Sequence, residues 1–349
     1  QKAFSEIPSL YEAKKLEGDI YVKLADSKQE TGKYQEAKQD YKKAGEAYKV
    51  AITIGESAGN VYEGECHRYS RIMEVAIINS EKDLYQTAYQ EALSACDKAL
   101  IANPESATAY RKKSRVFWRR GEEIISTNQD PTEYLDKAIE MGQKAIFYND
   151  KDIYAYNNLG NAYLQKAIYQ QEIDLDPEEN LGLAEKNYLK AIELNPNFAF
   201  AYNGLGLVYW RRGAYLIEND KDGCPFLDKA IESYQKSIAL SPNFPAYNNI
   251  GLAAWAKGNY EIEHKIDPIK SYDFSIENLQ TAIKLNPKYP NSYASLSLTY
   301  TTKGNVLMSK GLDPIDLFDL AIEYGRKAIN MNPDAVEDYY NLGVTYNKK

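Results

Sequence analysis

The chain is built on a turn signal that returns every 45 or 46 residues. Asn103-Pro104, Asn149-Asp150, Asn195-Pro196, Ser241-Pro242, Asn286-Pro287 and Asn332-Pro333 are separated by 46, 46, 46, 45 and 46 residues. A tyrosine ladder keeps the same register: Tyr110, Tyr156, Tyr202, Tyr247, Tyr293 and Tyr339. Two ladders in one phase describe a stack of similar supersecondary units, each burying its apolar face against its neighbours.

Each unit reads as two helices. Tyr156, Leu159, Gly160 and Tyr163 fall at i, i+3, i+4 and i+7, one face of a helix. Ala184, Tyr188 and Ala191 repeat that spacing and end at Pro196. Between the two lies an Asp-Pro step: Asp130-Pro131, Asp176-Pro177, Asp267-Pro268 and Asp313-Pro314, with Cys224-Pro225 at a shifted place in the remaining unit. Aspartate caps a helix start by accepting a backbone N–H bond, and proline is tolerated in the first turn. Small residues such as Gly160, Gly206, Gly251 and Gly343 are expected where paired helices approach closely.

The pattern Tyr-x-x-Leu-Gly-x-x-Tyr, then Ala-x-x-x-Tyr, then Pro resembles the tetratricopeptide repeat, with Tyr mostly in place of the signature Trp. That family's unit is about 34 residues, so the extra 46 − 34 = 12 fall between Tyr163 and Ala184. Shared between two antiparallel helices, they lengthen each by about 9 Å. Gly121, Gly213, Gly258 and Gly304 stand where a standard repeat would turn, and the helix is predicted to run through them. The resemblance implies an all-α, right-handed solenoid with first helices lining the concave side. It covers nearly the whole chain as one array: a standard-length hairpin over 1–58, a degenerate repeat over 59–104, and extended repeats over 105–150, 151–196, 197–242, 243–287 and 288–333. Residues 334–349 repeat only a first helix, read either as a cap or as the start of a further unit.

Composition narrows the function. Lys plus Arg number 42 and Asp plus Glu 50, giving a net charge of −8, which argues against a general nucleic-acid binder. No apolar run is long enough to insert in a membrane, and Gln1 to Tyr11 lacks a signal-peptide core. Cys66, Cys96 and Cys224 are odd in number and far apart, and with His67 and His264 they match no disulfide framework or metal spacing. Unpaired thiols lean mildly towards a reducing, cytoplasmic compartment. No phosphate loop, nucleophile elbow or HExxH is present, so these residues read as non-enzymatic, with no cofactor. The 31 tyrosines follow from repeated helix-packing positions.

Candidate binding residues come from first-helix positions that the family turns away from the hairpin core. Counting the ladder tyrosine as position four, positions five, nine, twelve and thirteen are Arg111, Arg115, Trp118 and Arg119 in one unit. In the next they are Asn157, Asn161, Leu164 and Gln165, then Asn203, Leu207, Trp210 and Arg211, then Asn248, Leu252, Trp255 and Ala256. All three tryptophans share one position, and asparagine holds position five in three successive units. One reading is a groove in which asparagine grips peptide main chain, tryptophan and arginine anchor it, and arginine favours an acidic partner. The other is structural: tryptophan wedged against the next repeat and asparagine bridging repeats. The family's carboxylate clamp uses Lys and Asn on neighbouring helices. Here Lys112 and the arginine run occur in one unit only, which puts that specificity in doubt.

The resemblance thus implies a scaffold that binds a protein or peptide segment. The alternative is a regulatory or sensor region of a larger signalling protein, since the array is also similar to those following bacterial serine/threonine kinase domains. A small-ligand or glycan binder using the tryptophan stripe is a third class.

Overall fold

The computed structural model describes residues 2–55 and 59–349, and the side chains of residues 10–55 and 59–349. Residue 1 and residues 56–58, at the two ends of the hairpin read over 1–58, lie outside it, as do most side chains of the Gln1–Tyr11 stretch. The described residues form helices joined by short turns, with no strand among them. The helices pair as α1 (Lys2–Glu30) with α2 (Tyr34–Ile54), α3 (Gly59–Ile78) with α4 (Lys82–Ala102), and α5 (Ala107–Ser126) with α6 (Thr132–Tyr148). Then come α7 (Ile153–Glu172) with α8 (Glu178–Leu194), α9 (Ala199–Glu218) with α10 (Cys224–Leu240), α11 (Phe244–Glu263) with α12 (Ile269–Leu285), and α13 (Pro290–Ser309) with α14 (Ile315–Met331). A single helix, α15 (Val336–Lys348), follows. The molecule is an all-α helical-repeat solenoid in two compact units, Gln1–Pro196 and Asn197–Lys349.

Within each unit the first helix of a pair touches the first helix of the next: α1 with α3, α3 with α5 and α5 with α7; α9 with α11, α11 with α13 and α13 with α15. Within each unit second helices contact the following first helix but, among the described residues, not each other. First helices therefore crowd together on the inner side of each unit, and second helices splay on the outer side.

The pairs close by fitting large side chains onto small ones. A Cβ on Gly160 would stand 2.8 Å from the Tyr188 ring, one on Gly206 2.5 Å from Tyr234, and one on Gly251 2.5 Å from Leu279. Where that first-helix position is serine the arrangement inverts. Ser114 donates to the Ala138 carbonyl and faces Gly142; Ser297 donates to the Ala321 carbonyl and faces Gly325. The lengthened part of each hairpin has its own contact. Gly121 lies under Leu135, Gly213 under Leu227, Gly258 under Tyr272 and Gly304 under Phe318, all four mid-helix as the sequence predicts. Fully burying a leucine such as Leu135 or Leu279 is worth about 1.5–3 kcal/mol, so each pair gains from two such contacts.

The turns explain the ladders. At the end of each extended first helix one residue takes positive φ: Asn128, Asp174, Asp220, Lys265 and Gly311. The next N–H then reaches back to close the helix, as in Leu175 N to the Gln170 carbonyl at 2.8 Å, a Schellman ending. The aspartate that follows accepts from the second helix's first turn: Asp130 from Thr132 N, Asp176 from Glu178 N, Asp267 from Ile269 N and Asp313 from Ile315 N. In the unit with the shifted proline the cap is kept, Asp222 accepting from Cys224 N at 3.0 Å. Gly223 replaces the proline there because a Cβ would stand 2.0 Å from the Gly213 carbonyl oxygen. At the other end, Asn103, Asn149 and Asn286 fold their carboxamide oxygens onto the N–H two residues on, so the Asn-Pro signal is a helix stop.

One expectation fails. Cys66 and Cys96 are not independent thiols: they form a disulfide, with Cα atoms 5.2 Å apart. They are 30 residues apart in sequence, but the α3–α4 hairpin folds one helix onto the other and brings both into the same buried cluster with Met73 and Val116. Cys224 alone is free, so the compartment argument from unpaired thiols loses its basis.

Candidate functional site

The inner face of the first unit carries a connected set of charges on α1, α3 and α5. At its centre is Glu74 of α3, buried to 7% exposure. Its Oε1 accepts from Arg115 at 2.6 Å and Arg119 at 2.9 Å; its Oε2 accepts from Arg71 at 2.7 Å and Gln29 at 3.0 Å. Burial alone would raise this carboxyl, but three guanidinium groups outweigh it and hold Glu74 well below the ordinary carboxylate range. Arg71 continues the chain to Asp26 of α1 at 2.9 Å, and Asp26 also accepts from Tyr41 at 2.6 Å. Burial opposes ionisation at Asp26 too, yet the His67 hydrogen bond and the Arg71 charge bring it down to about 2.

His67 Nε2 lies 3.1 Å from Asp26. Burial, reinforced by the nearby Arg115 and Lys112 charges, lowers the ring to about 4 despite Asp26, so at neutral pH the neutral ring donates its N–H. Lys112 donates to the Glu63 carbonyl at 2.9 Å, and burial with Arg111 beside it brings the amine down to about 8.

This network engages the arginine run. Arg115 and Arg119 are turned onto Glu74, Arg119 also reaching Glu122 at 2.7 Å. Arg111 pairs with Asp152, the N-cap of α7, at 2.9 Å. Their positive charge is already met inside the protein, although the guanidinium heads remain partly exposed. Trp118 is 5% exposed and packs with Phe117, Leu135 and Ala162, with the Arg119 guanidinium 4.1 Å from its ring centre. On α7, Asn161 accepts from the Tyr188 hydroxyl at 2.6 Å, a bond within the hairpin. Asn157 and Gln165 are half-buried on the same helix, and the Asn157 Oδ1 is buried with no donor among the described residues.

In the second unit neutral hydrogen bonds join neighbouring first helices. Asn248 of α11, 5% exposed, accepts from Ser292 of α13 at 2.8 Å. Trp255 of α11 donates its indole N–H to Thr302 of α13 at 3.2 Å. Thr301 of α13 meets Thr345 of α15 at 2.8 Å. On α9, Trp210 packs against the cluster of Ala230, Tyr234 and Ile250, with the Arg211 guanidinium 4.8 Å from its ring centre. The buried Asn203 Oδ1 and Trp210 Nε1 have no hydrogen-bond partner among the described residues. Asn248 and Trp255 thus bridge repeats, whereas Asn157, Asn203 and Trp210 keep polar atoms that a bound group or water would satisfy.

In the first unit Arg111, Arg115, Trp118 and Arg119 lie on α5 and Asn157, Asn161 and Gln165 on α7; in the second Asn203, Trp210 and Arg211 lie on α9 and Asn248 and Trp255 on α11. Sequence reasoning missed Asp26, His67, Arg71 and Glu74. Their signal is the repeat spacing itself: Glu74 precedes Arg115 and Arg119 by 41 and 45 residues, the separation of neighbouring first helices. Among the described residues no group of three His, Cys, Asp or Glu side chains is arranged to hold a metal ion, and no helix is long and apolar enough to cross a membrane.

Comparison with known proteins agrees with the repeat reading. A family model described as tetratricopeptide repeat matches residues 18–48, and one described as TPR repeat matches 179–213. The second match runs from a second helix into the next first helix, the part of the period without the extension. Among solved structures, a tetratricopeptide repeat protein from Parabacteroides merdae is 14% identical, with 95% of this chain and 99% of that one covered at a TM-score of 0.50. The APC/C hetero-tetramer Cut9-Hcn1 contains a chain 17% identical, with 94% of this chain and 55% of that one covered at 0.52. At these identities the likeness concerns the fold. No curated protein sequence matches the chain.

Proposed function

Since the chain is a tetratricopeptide repeat protein, we propose that it is a non-catalytic scaffold that holds a segment of another protein against the inner, first-helix face. The observation that supports this most is the continuity of that face: within each unit successive first helices lie side by side. The first helices carry half-buried side chains that can grip main chain or anchor a side chain, among them Arg111, Arg115, Arg119, Asn157 and Gln165 in the first unit and Asn203, Trp210 and Arg211 in the second. A guanidinium has five N–H donors, and the internal pairs use only some of them. The arginines of α5 can therefore take one or two carboxylates of the bound segment while still holding Glu74 and Asp152. Recognition then depends on shape and directed hydrogen bonds, with net charge secondary.

Selection of binders from a displayed peptide library, followed by direct titration, tests this. Arg111→Gln with Arg119→Gln is expected to weaken binding by about tenfold or more. The outer-face pair Lys137→Gln with Lys144→Gln is expected to leave it unchanged. Binding lost only with the outer-face pair, or kept by both at unchanged melting temperature, removes the inner face as the site.

A further inference from the structure

One repeat departs from the small-residue seat that closes the other helix pairs. Ser114, Gly160, Gly206, Gly251 and Ser297 recur at intervals of 45 or 46 residues and keep one first-helix position small, but 46 residues before Ser114 stands Arg68. Cys96, which holds the place of Gly142 and Tyr188 on the second helix, is bonded to Cys66. Arg68 is 7% exposed and lies against α2, where a Cβ on Gly45 would stand 2.9 Å from its guanidinium carbon. It donates to Glu65 and to the Tyr41 carbonyl, and lies 3.9 Å from the centre of the Tyr69 ring. The extended hairpins close with no charge at this place, so packing alone does not call for a buried guanidinium, which is costly to desolvate.

Arg68 and Tyr69 floor a groove on the outer side of the first unit, walled by α2 and α4. Two cavities of about 590 and 330 Å³ meet there, sharing Lys42 as well. The larger has Lys49 on one wall and Ser94 and Lys98 on the other, and the smaller is lined by Ile72, Leu84 and Ala88. The groove lies between two hairpins already in place, so a further repeat at either end of the array would leave it open. Five basic and three acidic side chains line the two cavities, in a chain of net charge −8. Lys38 is engaged by Glu81 and Arg68 by Glu65. Lys42, Lys49 and Lys98 make no ion pair among the described residues, and Glu46 and Glu91 stand on the same walls. We propose that this groove binds an acidic segment of a partner protein, with a carboxylate over Arg68 between the three lysines and an aliphatic side chain in the cavity of Ile72, Leu84 and Ala88. A guanidinium has five N–H donors, and the Glu65 and Tyr41 bonds engage three. The site is on the second-helix side and stands or falls independently of the inner-face peptide site.

The probe is a displayed library of random dodecapeptides, selected on the full 349-residue chain carrying Arg111→Gln and Arg119→Gln so that inner-face binders are set aside. Selected peptides are then labelled and titrated with the unmodified chain by anisotropy. A family with Asp or Glu within a few residues of Leu, Ile or Met is expected, binding saturably and one to one. Lys42→Glu with Lys98→Glu, or Thr87→Trp at the rim of the apolar cavity, should weaken it by about tenfold or more. All three residues are exposed, so the melting temperature should not fall. The same peptides with Asn and Gln in place of Asp and Glu should not bind. Absence of such a family, binding indifferent to both wall variants, or binding kept by the neutralised peptides overturns the proposal. So does a concentration-dependent dimer of the free chain that Lys42→Glu with Lys98→Glu abolishes, since the occupant would then be a second copy.

Discussion

The two units join neighbouring first helices at nearly the same sequence separation but with a different balance of chemistry. In the first unit the links are ionic: Glu74 to Arg119 across 45 residues, Asp26 to Arg71 across 45. In the second, neutral pairs join the helices along their length, Asn248 to Ser292 across 44, Trp255 to Thr302 across 47 and Thr301 to Thr345 across 44, with an ionic link only at the helix end, Lys310 to Asp267 across 43, among the pairs identified. The repeat therefore decides which positions meet and leaves open what meets there. A buried carboxylate shared by three guanidiniums is held by mutual compensation, so removing one member leaves uncompensated charge. A hydroxyl or amide pair loses only one ordinary hydrogen bond.

That difference can be broken most directly at Glu74. Glu74→Gln leaves Arg71, Arg115 and Arg119 facing one another, and should cost the first unit about 3–5 kcal/mol. Hydrogen exchange read by segment should show the loss in α1, α3 and α5. Equal loss of protection in α11 and α13 would end the claim that the two networks are distinct.

Acid should then separate the units without mutation. The unfolded chain protonates His67 below about 6.5, the folded chain only below about 4. Stability therefore falls as pH is lowered through that window, by at most about 3 kcal/mol. Asp26, about 2 when folded against an ordinary 3.8, adds a further loss as pH drops from about 4 through 2. Urea melts at stepped pH should show the first slope, and His67→Gln should flatten it.

Thr301→Val is the neutral counterpart. It should cost about 1 kcal/mol, with little dependence on pH between 4 and 7, in the same melts. The smallest effect is expected from the exposed pairs that occur in both units, Lys166 with Asp136 and Lys257 with Asp228. Lys→Met at either should change stability by less than about 1 kcal/mol, and a larger change in one unit only would show that surface charge, too, divides them.

The helical pairs, their caps and the helices running through Gly121, Gly213, Gly258 and Gly304 were all legible in the sequence, because each depends on spacing within about twenty residues. The direction of a side chain near the edge of a helix face was not. Position twelve lies between groove and repeat interface, and only three-dimensional packing shows Trp118 buried under Ala162 and Trp255 tied to Thr302. The Glu74 cluster was missed for a different reason. Its members lie on three helices, and Glu74 belongs to the repeat least like the rest. Cys66 and Cys96 were judged by distance along the chain, when the relevant measure was position within one hairpin.

The alternation of glycine-under-large and serine-under-glycine seats has a consequence for how such a chain reaches its native state. A protein made of near-copies risks mispairing, a helix closing on the wrong partner from a distant copy and trapping the chain in a shifted or swapped form. Tyr188 cannot sit over Ser297 without a clash, and Gly325 over Gly160 would leave a void. The outermost extended hairpins, α5–α6 and α13–α14, are thereby marked as different from the three between them. Five similar hairpins carry two incompatible lock types, which removes many wrong pairings before any long-range contact has formed.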